Sequence, residues 1–201
     1  MYINLETLEY PVSERDIRAQ NPNTSYPASF PVPEGYAYVF PSPVPPFNQY
    51  LQYAKETTPE LTDLGHYEQR WEVLDLDQST IDASILNLKT EKNSQINADR
   101  LAANFTTFIH QGKEIACDQL SRSDIDGTNG FVSLYGSLPP GWPGGWKAVD
   151  NTYVVISTVA DWKGLYSSMF AAGNANFAKA QTLKAQLALA QTAEEIQSII
   201  W

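Results

Sequence analysis

Apolar and polar positions alternate along this chain with a period that changes more than once. In residues 1–10, Ile3 and Leu5 interleave with Tyr2, Asn4 and Glu6, a spacing that predicts a short strand ended by Pro11. Ser13 with Asp16 three positions on has the form of a capped helical turn over residues 13–18, stopped at Asn21-Pro22-Asn23. Over residues 26–47 the prolines predict an extended path with little helix or central sheet. Period-two recurrence of aromatic and aliphatic residues returns in 49–55 and 67–74, which predicts a hairpin whose loop, 57–65, holds Pro59 and Gly65.

Beyond residue 77 the period becomes helical. Ile81, Ile85, Leu88 and Ile96 form a narrow apolar stripe interrupted by Lys92 and Asp99, as on a long helix that needs a neighbour to pack against. Residues 105–110 and 113–118 flank Gln111-Gly112, a tight hairpin turn with glycine where positive φ is needed. A short helix is expected from Ser121, a rigid irregular loop over 136–145, and a second hairpin over 146–156 turning at Asp150-Asn151. Thr158 and Asp161 then cap a helix whose apolar residues, Trp162, Leu165, Met169, Phe170, Phe177, Leu183 and Leu187, recur at three- and four-residue steps. Gly173 within it marks a close contact or a bend. A final helix starts at the capping box Thr192/Glu195 and ends in Ile199, Ile200 and Trp201, an indole that requires a pocket on the long helix or on a partner.

The fold expected from these patterns is α+β. An extended, proline-rich N-terminal arm with short strands and a hairpin occupies residues 1–76, and an α-rich domain with long helices and two short hairpins occupies 77–201. Rings on such an arm, Tyr10, Tyr26, Phe30, Tyr36, Phe40 and Phe47, have to be buried against something, and together with Trp201 they are the candidate partner-binding residues.

Charge sharpens that expectation. The chain carries a net charge of −10, with eleven acids against four bases in residues 1–76 and twelve against nine in 77–201. No basic cluster is present to drive counterion release, so nucleic acid and anionic membrane surfaces are not expected partners. A single cysteine, Cys117, permits no internal disulfide. With no basic start followed by an apolar run and no stretch of eighteen apolar residues, the sequence predicts a protein neither exported by a signal peptide nor inserted in a membrane.

Candidate chemistry is sparse. On the expected hairpin Cys117 lies opposite Thr106, four strand positions from His110, or about 13 Å at 3.3 Å per residue, too far for a nucleophile and its base. Two lone histidines, His66 and His110, and one cysteine lack zinc-ligand spacing. The run from Asp124 to Gly130 resembles a calcium loop but has Asn129 and Tyr135 where glycine and a bidentate acid are required, so it reads as a polar turn around Gly127 and Gly130. Trp142 and Trp146, in a loop of prolines and glycines, are candidate sugar-stacking rings, with pinning of the loop to the core as the plainer alternative. No metal, cofactor or catalytic residue is expected, and the chain does not read as an enzyme.

Particular phrases carry a resemblance. Tyr10-Pro-Val-Ser-Glu-Arg-Asp-Ile-Arg18, Asn21-Pro-Asn-Thr-Ser25 and Tyr67-Glu-Gln-Arg-Trp71 resemble the N-terminal module of small bacteriophage tail proteins encoded beside tail-fibre genes. Phe108-Ile-His-Gln-Gly112, Trp146-Lys-Ala-Val-Asp-Asn151 and Leu183-Lys-Ala-Gln-Leu187 are similar to a companion domain of uncharacterised function. The resemblance implies the context of a contractile- or long-tailed phage; within it, an extended aromatic arm that gains most when permanently buried favours a structural component of the tail, fibre- or baseplate-associated, made in the host cytoplasm and assembled into the virion tail. Its expected partners are other tail proteins and further copies of itself. The alternatives are a tail-fibre assembly chaperone capping the fibre tip and a host-glycan-binding tip protein.

Overall fold

The computed structural model describes residues 1–27 and 29–201. Ala28, inside the segment expected to be extended, lies outside the described residues. The chain forms two compact units, Met1–Asp82 and Ala83–Trp201.

In the first unit β1 (Tyr2–Asn4), α1 (Glu14–Gln20), β2 (Tyr36–Phe40), β3 (Gln52–Leu61) and β4 (Tyr67–Asp75) follow one another. The strands form one sheet in the order β1-β2-β4-β3. Pairing is antiparallel at β1/β2, with Tyr2 opposite Tyr38, and at β3/β4, with Gln52 opposite Asp75. It is parallel at β2/β4, with Phe40 opposite Glu68. The register of β3 shifts between Thr57 and Glu60, where Pro59 has no N–H to give the ladder and two residues oppose one. The strand therefore runs on to Leu61, well past the 49–55 expected.

This unit overturns the N-terminal arm. Residues 1–47 supply two of the four strands and a helix whose capping box joins Ser13 and Asp16. Tyr2 and Val12 exchange backbone hydrogen bonds of 2.9 Å in both directions. Val12, Ile17 and Phe30 form a buried cluster with Tyr2, Tyr26 and Tyr36 packed on it. The physical reason lies in the placement of the prolines. None falls inside β1, α1 or β2, so the donors lost to proline are those of the connecting loops, and each proline-free window keeps a full set for helix or ladder.

The second unit runs α2 (Gln78–Asn104, its first turns preceding the unit boundary), β5 (Thr107–His110), β6 (Lys113–Ala116), α3 (Gln119–Tyr135), β7 (Gly145–Lys147), β8 (Tyr153–Val155), α4 (Val159–Leu189) and α5 (Ala193–Ser198). Both short hairpins form, β5/β6 with Thr107 opposite Ala116 and β7/β8 with Trp146 opposite Val154. Gln111 (φ 49°) and Gly112 (φ 76°) are both left-handed, the geometry of a two-residue turn that suits strand twist. Gly145 is held by space, since a Cβ there would come within 2.7 Å of the Val154 carbonyl oxygen.

The segment from Asp124 to Gly130 is not a turn but the middle of a 17-residue helix, α3. Asp118 caps it by accepting from the backbone N–H groups of Leu120 and Ser121, both at 3.0 Å. Ile125 and Val132, two helical turns apart, bury its inner face. That burial offsets the roughly 1 kcal/mol each that Gly127 and Gly130 cost.

Two cores share the long helix. Its first half packs Trp162, Leu165 and Met169 with Phe108, Ile115, Ile125, Val132 and Ile156. Its second half packs Ala180, Leu183 and Leu187 with Ile96 of α2 and with Ile196 and Ile199. Asn176 donates to Asn104 at 3.0 Å, Lys184 to Asn97 at 2.6 Å and Lys89 to the Ala188 carbonyl at 3.2 Å, so numbers rise on one helix as they fall on the other and the pair is antiparallel. Gly173 does not mark a tight crossing: among the described residues a Cβ there would meet only Asn104 Oδ1, at 3.9 Å, an ordinary contact.

Candidate interaction surfaces

Sheet pleating in the first unit sorts its residues into two faces. Ile3 and Val39 are buried on one. On that side the Tyr10 hydroxyl and the Gln69 amide both donate to the Glu56 carboxylate, and Trp71 Nε1 donates to the Ser42 carbonyl at 3.3 Å. Desolvation, then the hydrogen bond to Glu56, pushes the Tyr10 phenol up from its ordinary value.

The other face carries a row of rings. Phe30 meets Tyr2 edge-on at 5.7 Å, Tyr2 meets Tyr38 at 5.7 Å, Tyr38 meets Phe40 at 5.0 Å, and Phe40 meets His66 at 4.9 Å. The buried end of the row lies under α1, where Arg18 covers the rings of Phe30 (4.8 Å) and Tyr26 (5.3 Å). The other end is open. Tyr38 is 41 % exposed and Phe40 46 %. Tyr53, 42 % exposed on the same face but opposite Leu74, stands apart from the row, with Lys55, Arg70 and Glu72 between it and Phe40 by strand alternation. The result is a rigid strip of half-exposed aromatic surface on a charged sheet.

The arm residues thus divide. Tyr10, Tyr26, Phe30 and Tyr36 are used within the unit itself, whereas Phe40 and Phe47 remain exposed. Sequence reasoning missed Tyr38. Tyr38 stands two positions before Phe40 on one strand, and that alternation was the available signal.

In the second unit Trp142 and Trp146 stack at 6.2 Å, and both rings lie 5.5 Å from the fully buried Trp162. Trp142 Nε1 donates to the Ile156 carbonyl at 2.8 Å. These tryptophans pack on the core and hold the 136–145 loop to it.

His110 and Cys117 sit at opposite ends of the β5/β6 hairpin, His110 opposite Lys113 and Cys117 N–H bonded to the Thr106 carbonyl at 2.9 Å. Burial pushes the Cys117 thiol up, against the opposing pull of Arg122. The Ser168 hydroxyl donates to the Gly164 carbonyl at 3.1 Å, so it accepts from His110 Nδ1 at 2.9 Å. Nε2 then bears the lone pair, buried and without a partner among the described residues. Burial holds this imidazole below its ordinary pKa.

The carboxylates held below their usual range sit at helix starts and turns. Asp16, Asp118, Asp161 and Glu195 cap helices, and Asp150 bridges a hairpin turn. Asp77 is lowered to about 2 by hydrogen bonds from Ser79 and Thr80 at the start of α2. Among the described residues no group of three histidine, cysteine or acidic side chains could hold a metal ion, and no helix is long and apolar enough to cross a membrane.

At the C-terminus Trp201 folds back on the second core, with Lys179 Nζ 4.7 Å from its ring centre. Beside it, α4 and α5 line an open groove of about 500 Å³ whose rims include Leu189, 80 % exposed, and Ile200, 76 % exposed.

Comparison with known proteins adds one relationship. No curated protein and no solved structure matches the chain. Residues 87–200, which take in α4, α5, both hairpins and most of α2, match the domain of unknown function DUF4376, and the chain belongs to that family.

Proposed function

We propose that this protein is a structural subunit of a bacteriophage tail, fibre- or baseplate-associated, that acts by protein–protein assembly. The observation that carries the reading is the open end of the aromatic row, Tyr38 and Phe40. These rings stand on paired strands, so docking orders little that is not already ordered. Half-exposed aromatic rings still have apolar area to bury, at about 25 cal/mol per Å², and such rings dominate interface energetics. The first unit carries thirteen acids against four bases, which favours a partner presenting an apolar cleft with a basic rim and speeds its encounter. The N-terminal resemblance to small phage tail proteins supplies the context.

Mass spectrometry of purified particles tests the proposal. A virion subunit is present at a fixed ratio to baseplate or fibre proteins. Absence from particles together with recovery on isolated fibres replaces this role with that of an assembly chaperone. Native mass measurement of the isolated protein reads whether further copies are among its partners.

A further inference from the structure

Three helices of the second unit border a groove of about 260 Å³ lined by Arg100, Asn104, Arg122, Phe170, Asn174 and Phe177. The chain has five arginines, and this groove gathers two of them from positions far apart in sequence. Arg18 and Arg70 are paired with Glu14 and Glu60. Arg100 has no carboxylate within 4 Å among the described residues; its guanidinium lies on the Phe177 ring at 4.8 Å. Arg122 is held at 3.7 Å from Asp126 and 5.9 Å from the Phe105 ring. Asn104 accepts from Asn176 through Oδ1, which leaves its Nδ2 as a donor.

The polar lining is thus weighted toward donors, and two of them are planar guanidinium forks suited to a carboxylate. The second unit has ten acids against nine bases, so within it the acidity of the whole chain is nearly absent. Phe170, 68 % exposed, offers an apolar ring face beside these donors. The groove is open to solvent and has room for a ring-sized body. Asn174 adds an amide able to meet hydroxyl groups.

We infer that this groove binds a monosaccharide bearing a carboxylate, its acid group on Arg100 and Arg122 and its ring against Phe170. The inference stands on the second unit alone and is independent of docking through the aromatic row of the first.

Titration of the full-length, isotopically labelled protein with glucuronate and N-acetylneuraminate, followed by amide chemical shifts, tests it. The expected result is saturable shifts of amides in α2, α3 and α4 around the groove with at least one of these acids. Neutral glucose should produce none, and N-acetylglutamate should bind at least tenfold more weakly. Arg100→Gln should weaken binding at least tenfold with an unchanged spectrum elsewhere, and Phe170→Ala should weaken it several-fold. No saturation by either sugar acid, binding indifferent to Arg100→Gln in the folded variant, or N-acetylglutamate binding equally well would each overturn the assignment.

Discussion

Replacing Ile17 by alanine separates a folded leader from a free arm. Ile17 is 0 % exposed on α1 and packs with Val12 and Phe30. Truncating a fully buried isoleucine costs about 2–5 kcal/mol, transfer and cavity terms together. A unit of 82 residues has a total stability of about 4–12 kcal/mol, so a loss near 3 kcal/mol is a large fraction of the whole. Since every 1.4 kcal/mol is a factor of ten, globally opening amides of the first unit should exchange faster by about two decades. Hydrogen exchange read by mass spectrometry on peptides from β4 resolves this unit within the full chain. Phe47→Ala, a change at a residue 39 % exposed, is the control and should leave those peptides nearly unaltered. If Ile17→Ala leaves β4 exchange at the wild-type rate, α1 does not pack on the sheet and the fold of the leader described here is wrong.

Two further outcomes follow from the second unit. Trp201→Ala should loosen the C-terminal helix by about 2 kcal/mol, less than the 3–5 for a fully buried tryptophan because the ring is only partly buried; protease resistance of residues 190–201 equal to wild type would contradict it. His110 has a folded pKa below its unfolded value of about 6.5. The unfolded chain therefore takes up the proton first, and stability is level above that pH and falls as pH drops below it, until the folded form also protonates. Urea midpoints at pH 7.5 and 5.5 should differ more for wild type than for His110→Gln; equal differences would mean that His110 is not held neutral.

Much of the second unit was legible because its signals are local. The capping boxes Thr158/Asp161 and Thr192/Glu195 form as spaced, and Gln111-Gly112 turns the hairpin its flanking residues suggest. Where burial of a distant partner decides the outcome, local reading failed. Gly127 and Gly130 mimic a turn, yet α3 continues through them because Ile125 and Val132 have a core to enter. The leader failed for a related reason. Proline content describes donors lost, whereas β1 and β2 owe their place to pairing with each other and, through β2, with β4, nearly thirty residues further on. For the interaction surface, Phe40 was visible as an exposed ring, but the row needed the registers Tyr2/Tyr38 and Phe40/Glu68 to align it. Nothing in the sequence could bring Arg100 beside Arg122, since the groove that joins them exists only once α2 and α3 have packed with α4.

Complementation of particles lacking this protein, using the double variant Tyr38→Ser and Phe40→Ser, reads the proposed docking face directly. The variant should fold, with β4 exchange close to wild type, and be missing from purified particles in which the wild-type chain is present at a fixed ratio. Incorporation of the folded variant at the wild-type ratio would show that the aromatic row does not hold this protein in the tail.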